Sequence, residues 1–327
     1  VLAVMYHYVR DADPLPLPDC GGPFDGIKSL STTAFEAQLD ALGRAWEPID
    51  WPRLYAWMNG RASIPQQCFL LTFDDGLLDH ATNVAPALDS RGLRGVFFVP
   101  GSVLTKHRLL APHANHLLLA TLGERRVVRE LADYLERQHG AEEWHSHLRE
   151  IDGPGAGAAP AMYSYEQPLR ARLKFFLTMT LPIAVRDAAI QAIFEEHIGS
   201  SARWAKHWYL AWKDVKQLEA AGHTIGGHGF AHEALARLSD GDAAVDVKRS
   251  AEVLRAGLGP DLRPFSYPYG SVGPSSDGAI AAAGFVHAFT TQEQWIEAGA
   301  APYRLPRVDT IHLDSFLSPE ESCQKAQ

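Results

Sequence analysis

Phe69-Leu70-Leu71-Thr72-Phe73-Asp74-Asp75-Gly76 decides the fold: an apolar run ends in two adjacent carboxylates and a glycine. Consecutive residues on a strand point to opposite faces, so Asp74 and Asp75 cannot both serve one site within a regular strand. At a strand's C-terminal end the chain turns, and Gly76 permits the tight backbone that aims both carboxylates inward. Taken alone, the stretch reads more simply as a strand running into an Asp-Asp-Gly turn. A second stretch shifts that weighting. Thr224-Ile225-Gly226-Gly227-His228-Gly229-Phe230-Ala231-His232 sets two histidines four apart, just after another strand-like segment. If His228 opens a helix, the two histidines share a face. Two His and one carboxylate make a metal site that keeps positions open for water and substrate.

The rest of the chain supplies a rhythm around these stretches. Val1 to Val9 is apolar and β-rich and carries His7 near its end. Thr33-Ala34-Phe35-Glu36 reads as a capping box, with Phe35, Leu39 and Leu42 lining one helical face. Val84 to Leu88 is read as part of a helix, and Gly95 to Val99 as a buried strand. Later come helices at Trp212 to Ala221, Asp242 to Gly257 and Ser275 to Ala283. Strands are expected at Pro264 to Tyr267, Phe285 to Thr290 and Arg304 to Val308. Alternating strands and helices indicate parallel βαβ units. His7, Asp74, Asp75, His228, Tyr269 and Arg307 all fall at C-terminal strand ends, where active sites of parallel barrels assemble.

Between Gly101 and about His207 the rhythm stops, leaving helical patterns such as Arg125 to Gln138 and Ile183 to Ile198. The run Gly153-Pro154-Gly155-Ala156-Gly157-Ala158 formally fits a dinucleotide fingerprint, but no strand precedes it and prolines flank it. His113, His116, His145 and His147 have no carboxylate motif attached and read as solvated. Trp204, Trp208 and Trp212 recur at helical spacing, which favours core packing over a sugar-stacking platform.

At 327 residues with 46% hydrophobic and 21% charged content, the chain can bury ample core. A net charge of −9 argues against a general affinity for nucleic acid or anionic membrane. Cys20, Cys68 and Cys323 are odd in number and far apart, so no disulfide framework is expected. No run is long enough to span a bilayer. The first residues lack a basic region and a small-residue cleavage site, and the expectation is a cytoplasmic location.

Thr72-Phe73-Asp74-Asp75-Gly76, His228-x-x-x-His232 and Pro268-Tyr269-Gly270 occur in the order found in the polysaccharide deacetylases (carbohydrate esterase family 4), which this chain resembles. The resemblance implies a distorted (β/α) barrel. Residues 1–100 and 208–327 then form its two parts around a largely helical insertion, 101–207. It also implies Asp75, His228 and His232 as metal ligands. Zinc suits them, and mixed N/O sites also accept Co²⁺, Ni²⁺ or Mn²⁺. By the same resemblance Asp74 is the general base, and the Tyr269 backbone N–H stabilises an oxyanion beside the metal. The opening Met5-Tyr6-His7-Tyr8-Val9 resembles that of a circularly permuted branch that includes exopolysaccharide deacetylases. His7 is therefore expected to be the acid, with His312 as runner-up.

Two positions depart from the family pattern. Ser266-Tyr267 stands where many members carry an arginine that pairs with the base, so Arg307 is the expected substitute and Arg304 the fallback. A surface pair between Arg307 and Asp309 is the alternative reading. Gly229 stands where Ser or Thr is usual. The implied activity is metal-dependent removal of N-acetyl groups from an amino-sugar glycan, with a bacterial source and envelope or secreted polysaccharide synthesis as the family setting. An O-acetyl esterase, a non-sugar amidase, or a carbohydrate-binding protein without turnover are the alternatives.

Overall fold

Runs that are apolar on both faces become inner strands of a parallel sheet. The first is Leu2–Tyr6 (β1), buried throughout. The computed structural model describes residues 1–18, 27, 29–106, 108–140, 144–152, 160–163 and 165–317. Helix Thr32–Ala45 (α1) buries Phe35, Leu39 and Leu42, as its spacing predicts. Its cap is Ser31 rather than Thr33. The Ser31 side chain accepts the Ala34 N–H at 3.1 Å, and Asp11 holds the Thr32 N–H and hydroxyl. A short strand Glu47–Pro48 (β2) and helix Trp51–Met58 (α2), capped by Asp50, lead to the wholly buried Cys68–Phe73 (β3). A π-helical turn at His80–Val84 continues into Ala85–Asp89 (α3). Gly95–Val99 (β4) and Gly101–Thr105 (α4) follow.

The chain divides into two compact units. One comprises Val1–Ala12, Ser29–Lys106 and Trp208–Gln327; the other comprises Asp13–Lys28 and His107–His207. Described residues of the second segment, 107–207, form helices and no strand. These are Ala111–Leu122 (α5), Glu124–His139 (α6), His145–Asp152 (α7), Pro168–Phe175 (α8), Ile183–His197 (α9) and Ser201–Trp208 (α10). Leu117, Leu131, Leu173, Ile190 and Phe194 are buried there, and Trp204 meets the Phe194 ring edge-on at 6.4 Å. Trp204 and Trp208 are buried, and Trp212 packs against Gly257, so these tryptophans are packing residues. The glycine-rich run at 153–159 lies outside the described residues, as do Cys20 and Cys323.

From Trp212–Ala220 (α11) the alternation resumes with Thr224–Gly227 (β5), Asp240–Leu258 (α12) and Phe265–Ser266 (β6). Ser276–Ala282 (α13), Ala288–Phe289 (β7), Val308–Asp309 (β8) and Leu313–Leu317 (α14) complete the unit. Every pairing between named strands is parallel, in the order β7-β6-β5-β4-β3-β1-β8, with β2 on the start of β3. The last three strands are shorter than the sequence predicts. Proline explains this: Pro264, Pro268 and Pro306 have no N–H to donate to a ladder. Before Pro306, Leu305 still forms a parallel bridge with Phe289, which brings β7 beside the segment entering β8. The sheet is a curled parallel half-barrel with helices, as the resemblance implies and the alternation supports. Among the described residues no helix is long and apolar enough to cross a membrane.

On the sheet face that packs against α1, Phe73 stacks between Tyr6 at 5.3 Å and Phe97 at 4.9 Å and meets Phe35 edge-on, so β1, β3 and β4 share one aromatic column. His287, just before β7, is buried between Trp51 and Tyr55, with ring centroids 5.5 Å from each. Burial lowers its pKa to about 4, whereas the unfolded chain protonates it near 6.5. The unfolded state therefore binds more protons between these values, and stability falls as the pH drops from about 6.5 towards 4. Thermal melts of wild type and His287→Phe across this window should show a shallower acid-side loss in the variant. Parallel curves would mean that His287 contributes nothing to it.

Candidate metal centre and active site

The C-terminal ends of β1, β3, β5 and β6 converge on one cluster of buried polar groups. Asp74 leaves β3 with its N–H bonded to the Tyr6 carbonyl at 3.0 Å, as if the ladder continued. Asp75 then adopts φ 77, and Gly76 φ 62. The reversal thus begins one residue earlier than the glycine suggests, and it brings the second carboxylate round beside the first. At Gly76 a Cβ would sit 2.8 Å from Val99 Cγ1, so the turn is also closed to larger residues on steric grounds.

Asp74 is 2% exposed and lies against Arg307, which is 0% exposed. Two parallel bonds of 2.8 Å join Nη1 to Oδ1 and Nη2 to Oδ2. Ser266 Oγ donates to Asp74 Oδ2 at 3.1 Å and accepts from Arg307 Nη2 at 2.8 Å. Arg307 Nη1 also reaches Thr72 Oγ1 at 3.2 Å, and Nε donates to the Thr290 carbonyl at 3.0 Å. Burial alone would raise the Asp74 pKa; the Arg307 charge, helped by His228, outweighs it and holds the carboxyl at about 2. The surface pairing of Arg307 with Asp309 does not occur, because the Asp309 side chain accepts the Ile311 N–H instead. Arg304 binds Asp277 on the surface, away from Asp74.

His228 and His232 are not on a helix. After β5 the chain runs as an irregular loop with φ 68 at Gly229 and φ 59 at His232, and these reversals, not helical periodicity, bring the two rings together. The ring centroids are 4.8 Å apart. His228 Nδ1–H donates to the Ser266 carbonyl at 2.7 Å, which leaves its Nε2 as the lone-pair nitrogen. That Nε2 is 3.3 Å from Asp75 Oδ1, and His232 Nε2 is 3.0 Å from the same oxygen. One ligand atom from each of the three residues lies within 4.8 Å of the others, and all three residues are buried. Donors bound at about 2.1 Å around a tetrahedral ion sit about 3.4 Å apart, so this donor set fits a divalent cation such as zinc. Tyr269, at φ 59 in the turn Pro268–Gly270, closes over it with its ring 4.9 Å from that of His232.

The two histidines considered as acids lie in different places. His7 is half-buried at the end of β1, close enough for its charge to act on Asp74. His312 is on the surface, paired with Glu293. Three residues of the site were not read from the sequence. Thr72 and Ser266 complete the shell of Asp74 and Arg307. Ser266 was visible only as the place where an arginine was missing. His80 is fully buried and donates from Nε2 to the His7 carbonyl at 3.1 Å. Burial lowers its pKa to about 4. Nothing in the sequence distinguished it from a helix-surface histidine. Tyr8 lies beside the cluster, its phenol pushed well above its ordinary pKa by burial and then by the Asp75 charge.

Residues 152–288 match the family model described as polysaccharide deacetylase. A search of curated protein sequences gives no match. Among solved structures, a de-N-acetylase from Aggregatibacter actinomycetemcomitans is similar with a TM-score of 0.55 at 15% identity, covering 94% of this chain and 93% of its own. The Streptococcus pyogenes deacetylase PplD in complex with acetate is similar with a TM-score of 0.55 at 13% identity, covering 98% of both chains. IcaB from Ammonifex degensii gives 0.54 at 19% identity, over 99% of this chain and 94% of that one. At these identities the structures share a fold, and the family model adds the sequence relationship over the segment that holds His228, His232 and the Pro268–Gly270 turn. Residues 152–288 thus carry the sequence match to the polysaccharide deacetylases, and the chain shares the fold of the deacetylase structures it resembles.

Proposed function

We propose that the protein is a metal-dependent deacetylase that removes N-acetyl groups from an amino-sugar-containing polysaccharide, oligosaccharide or glycan precursor. The observation that carries this reading is the pairing of a buried Asp75–His228–His232 triad with an adjacent, arginine-clamped Asp74. A divalent ion held by the triad supplies Lewis acidity, which acidifies water towards a pKa of about 7 and polarises a carbonyl oxygen.

The chain's own residues divide the remaining work. Asp74, ionised at any working pH, accepts a proton from the attacking water, and Arg307 fixes the direction in which its carboxylate faces. The Tyr269 backbone N–H donates to the oxyanion that develops on the acetyl carbonyl. His7 protonates the departing amine, without which the C–N bond does not break productively. His228 is kept in the ligating tautomer by the Ser266 carbonyl. The place of His7 at the end of β1, where its charge acts on Asp74, supports this assignment.

Metal analysis of wild type, Asp75→Ala and His228→Ala, with acetate and free amine measured on N-acetylated oligosaccharides, tests the proposal. The expected result is about one metal per chain in wild type only, with acetate and amine released together. Acetate without amine would mean ester cleavage, and no metal in reloaded wild type would overturn the reading.

His7→Ala should lower kcat by about 10²–10⁴ with metal content unchanged. His312→Ala should change it less than roughly twofold, because that side chain is at the surface. The opposite ranking would transfer the acid role to His312.

Arg307→Ala would strand the Asp74 carboxylate in a dry site and should cost about 3–5 kcal/mol in urea unfolding. Arg307→Lys keeps the charge but not the two-pronged fit, and should fall between wild type and Ala. A loss under about 1 kcal/mol for Ala would show that Asp74 does not depend on this partner.

A further inference from the structure

The loop that carries both histidines is irregular, so its shape needs an outside cause. Its backbone is held from two sides. The Gly101 N–H donates to the Gly229 carbonyl at 2.9 Å, and the Ser102 N–H to the Phe230 carbonyl at 2.8 Å. On the other side stands Asp246 of α12. Its Oδ2 accepts the Phe230 N–H and its Oδ1 the Ala231 N–H, both at 2.8 Å. Asp246 is 8% exposed and sits on the buried face of its helix with Ala243, Val247, Ser250 and Leu254. A carboxylate on such a face is costly unless it is bonded, and here both oxygens are used.

Gly229 makes this approach possible. It has φ +68, and a Cβ there would lie 2.8 Å from Asp246 Oδ2. Any side chain at 229 therefore competes with Asp246 for one space. Phe230 is pinned as well: its ring lies under the Arg249 guanidinium at 3.8 Å, and a Cβ at Gly101 would be 2.8 Å from its Cδ2.

We infer that Asp246 is a positioning residue for the metal centre, setting the spacing of His228 and His232 by gripping the two amides between them, with Gly229 as the residue that admits its carboxylate. This rests on the proposed metal role of the two histidines. The grip itself is a statement about the loop and is tested separately below. Outer partners of metal ligands change affinity by about 10–100-fold when removed. Asp246 works through the loop backbone, and a loss in that range is expected for Asp246→Ala, with a smaller one for Asp246→Asn, which keeps one acceptor oxygen.

The test measures zinc affinity by chelator competition on the full chain, together with apo melting temperature and amide exchange at Phe230 and Ala231. Wild type, Asp246→Asn, Asp246→Ala, Gly229→Ser and the Gly229→Ser/Asp246→Ala double variant are compared. Expected are weaker zinc binding in each single variant, faster exchange at both amides in Asp246→Ala, and a double variant that loses less than the product of the single losses. Should Asp246→Ala fail to fold, the Asn variant and Gly229→Ser carry the comparison. Unchanged zinc affinity and unchanged exchange in a folded Asp246 variant would overturn the inference, as would fully multiplicative losses. If wild type binds no zinc while exchange at the two amides still depends on Asp246, the metal reading fails and the loop grip stands.

Discussion

The Asp74–Arg307 pair is the interaction on which the rest of the site depends. Two charges withdrawn from water cost several kcal/mol each unless geometry and further hydrogen bonds compensate. Here compensation is complete on the arginine's three nitrogens and extends to Ser266, Thr72 and the Thr290 carbonyl. These partners come from β3, β6, the end of β7 and the approach to β8. β8 itself pairs with β1 over only two positions, Val308 with Val4 and Asp309 with Met5. The arginine side chain therefore ties a weakly laddered segment to the centre of the sheet. Through its Nε bond to the Thr290 carbonyl, the same side chain also joins the two ends of the strand order.

Backbone conformation is spent in the same place. Asp75, His232 and Tyr269 are the non-glycine residues with positive φ among those described, and all three line the cluster. A residue held in that region costs about 1–3 kcal/mol and persists only where its surroundings over-determine it. For Asp75 the gain is evident. Its reversal cancels the alternation of the strand and turns a pair of opposed carboxylates into a pair of neighbours. For His232 it bends a four-residue spacing into a site that a helix would have produced by periodicity alone. Motif spacing thus singled out residues that the fold does bring together, though through a loop and not a helix.

Much of this was legible in the residues. Apolar runs such as Leu2–Tyr6 and Gly95–Val99 announce buried parallel strands because they are short, rich in β-branched and aromatic residues and apolar on both faces. Most of the candidate site residues were legible as a set because they follow strands, where a parallel fold gathers them; Arg307 instead enters β8 from its N-terminal side. Strand lengths near the C-terminus were not, since proline trims a ladder by an amount that depends on neighbours. Ser266 and Thr72 were not legible either, because their role exists only once Arg307 arrives from a distant segment. His80 and Asp246 needed burial to be known: one is a histidine on a turn, the other an acid on a helix, and exposure alone separates each from an ordinary surface residue.

The register of β1 against β3 has a consequence for the proposed chemistry. Tyr6 pairs with Phe73, and the Asp74 N–H bonds to the Tyr6 carbonyl, so the next residues out of the ladder are His7 and Asp74. Two groups assigned to opposite proton transfers thus leave adjacent strands at the same level. Their spacing is set by the hydrogen-bond ladder, which flexes far less than a loop. His80 adds to this by holding the His7 carbonyl from the other side of the turn. With the proposed base held by Arg307 and the proposed acid next to the ladder, the third element of the site is the Pro268–Gly270 turn, closed by the Gly270 N–H on the Tyr267 carbonyl at 2.9 Å. Its proline restricts one end, and its next residue, Tyr269, offers the backbone N–H assigned to the oxyanion.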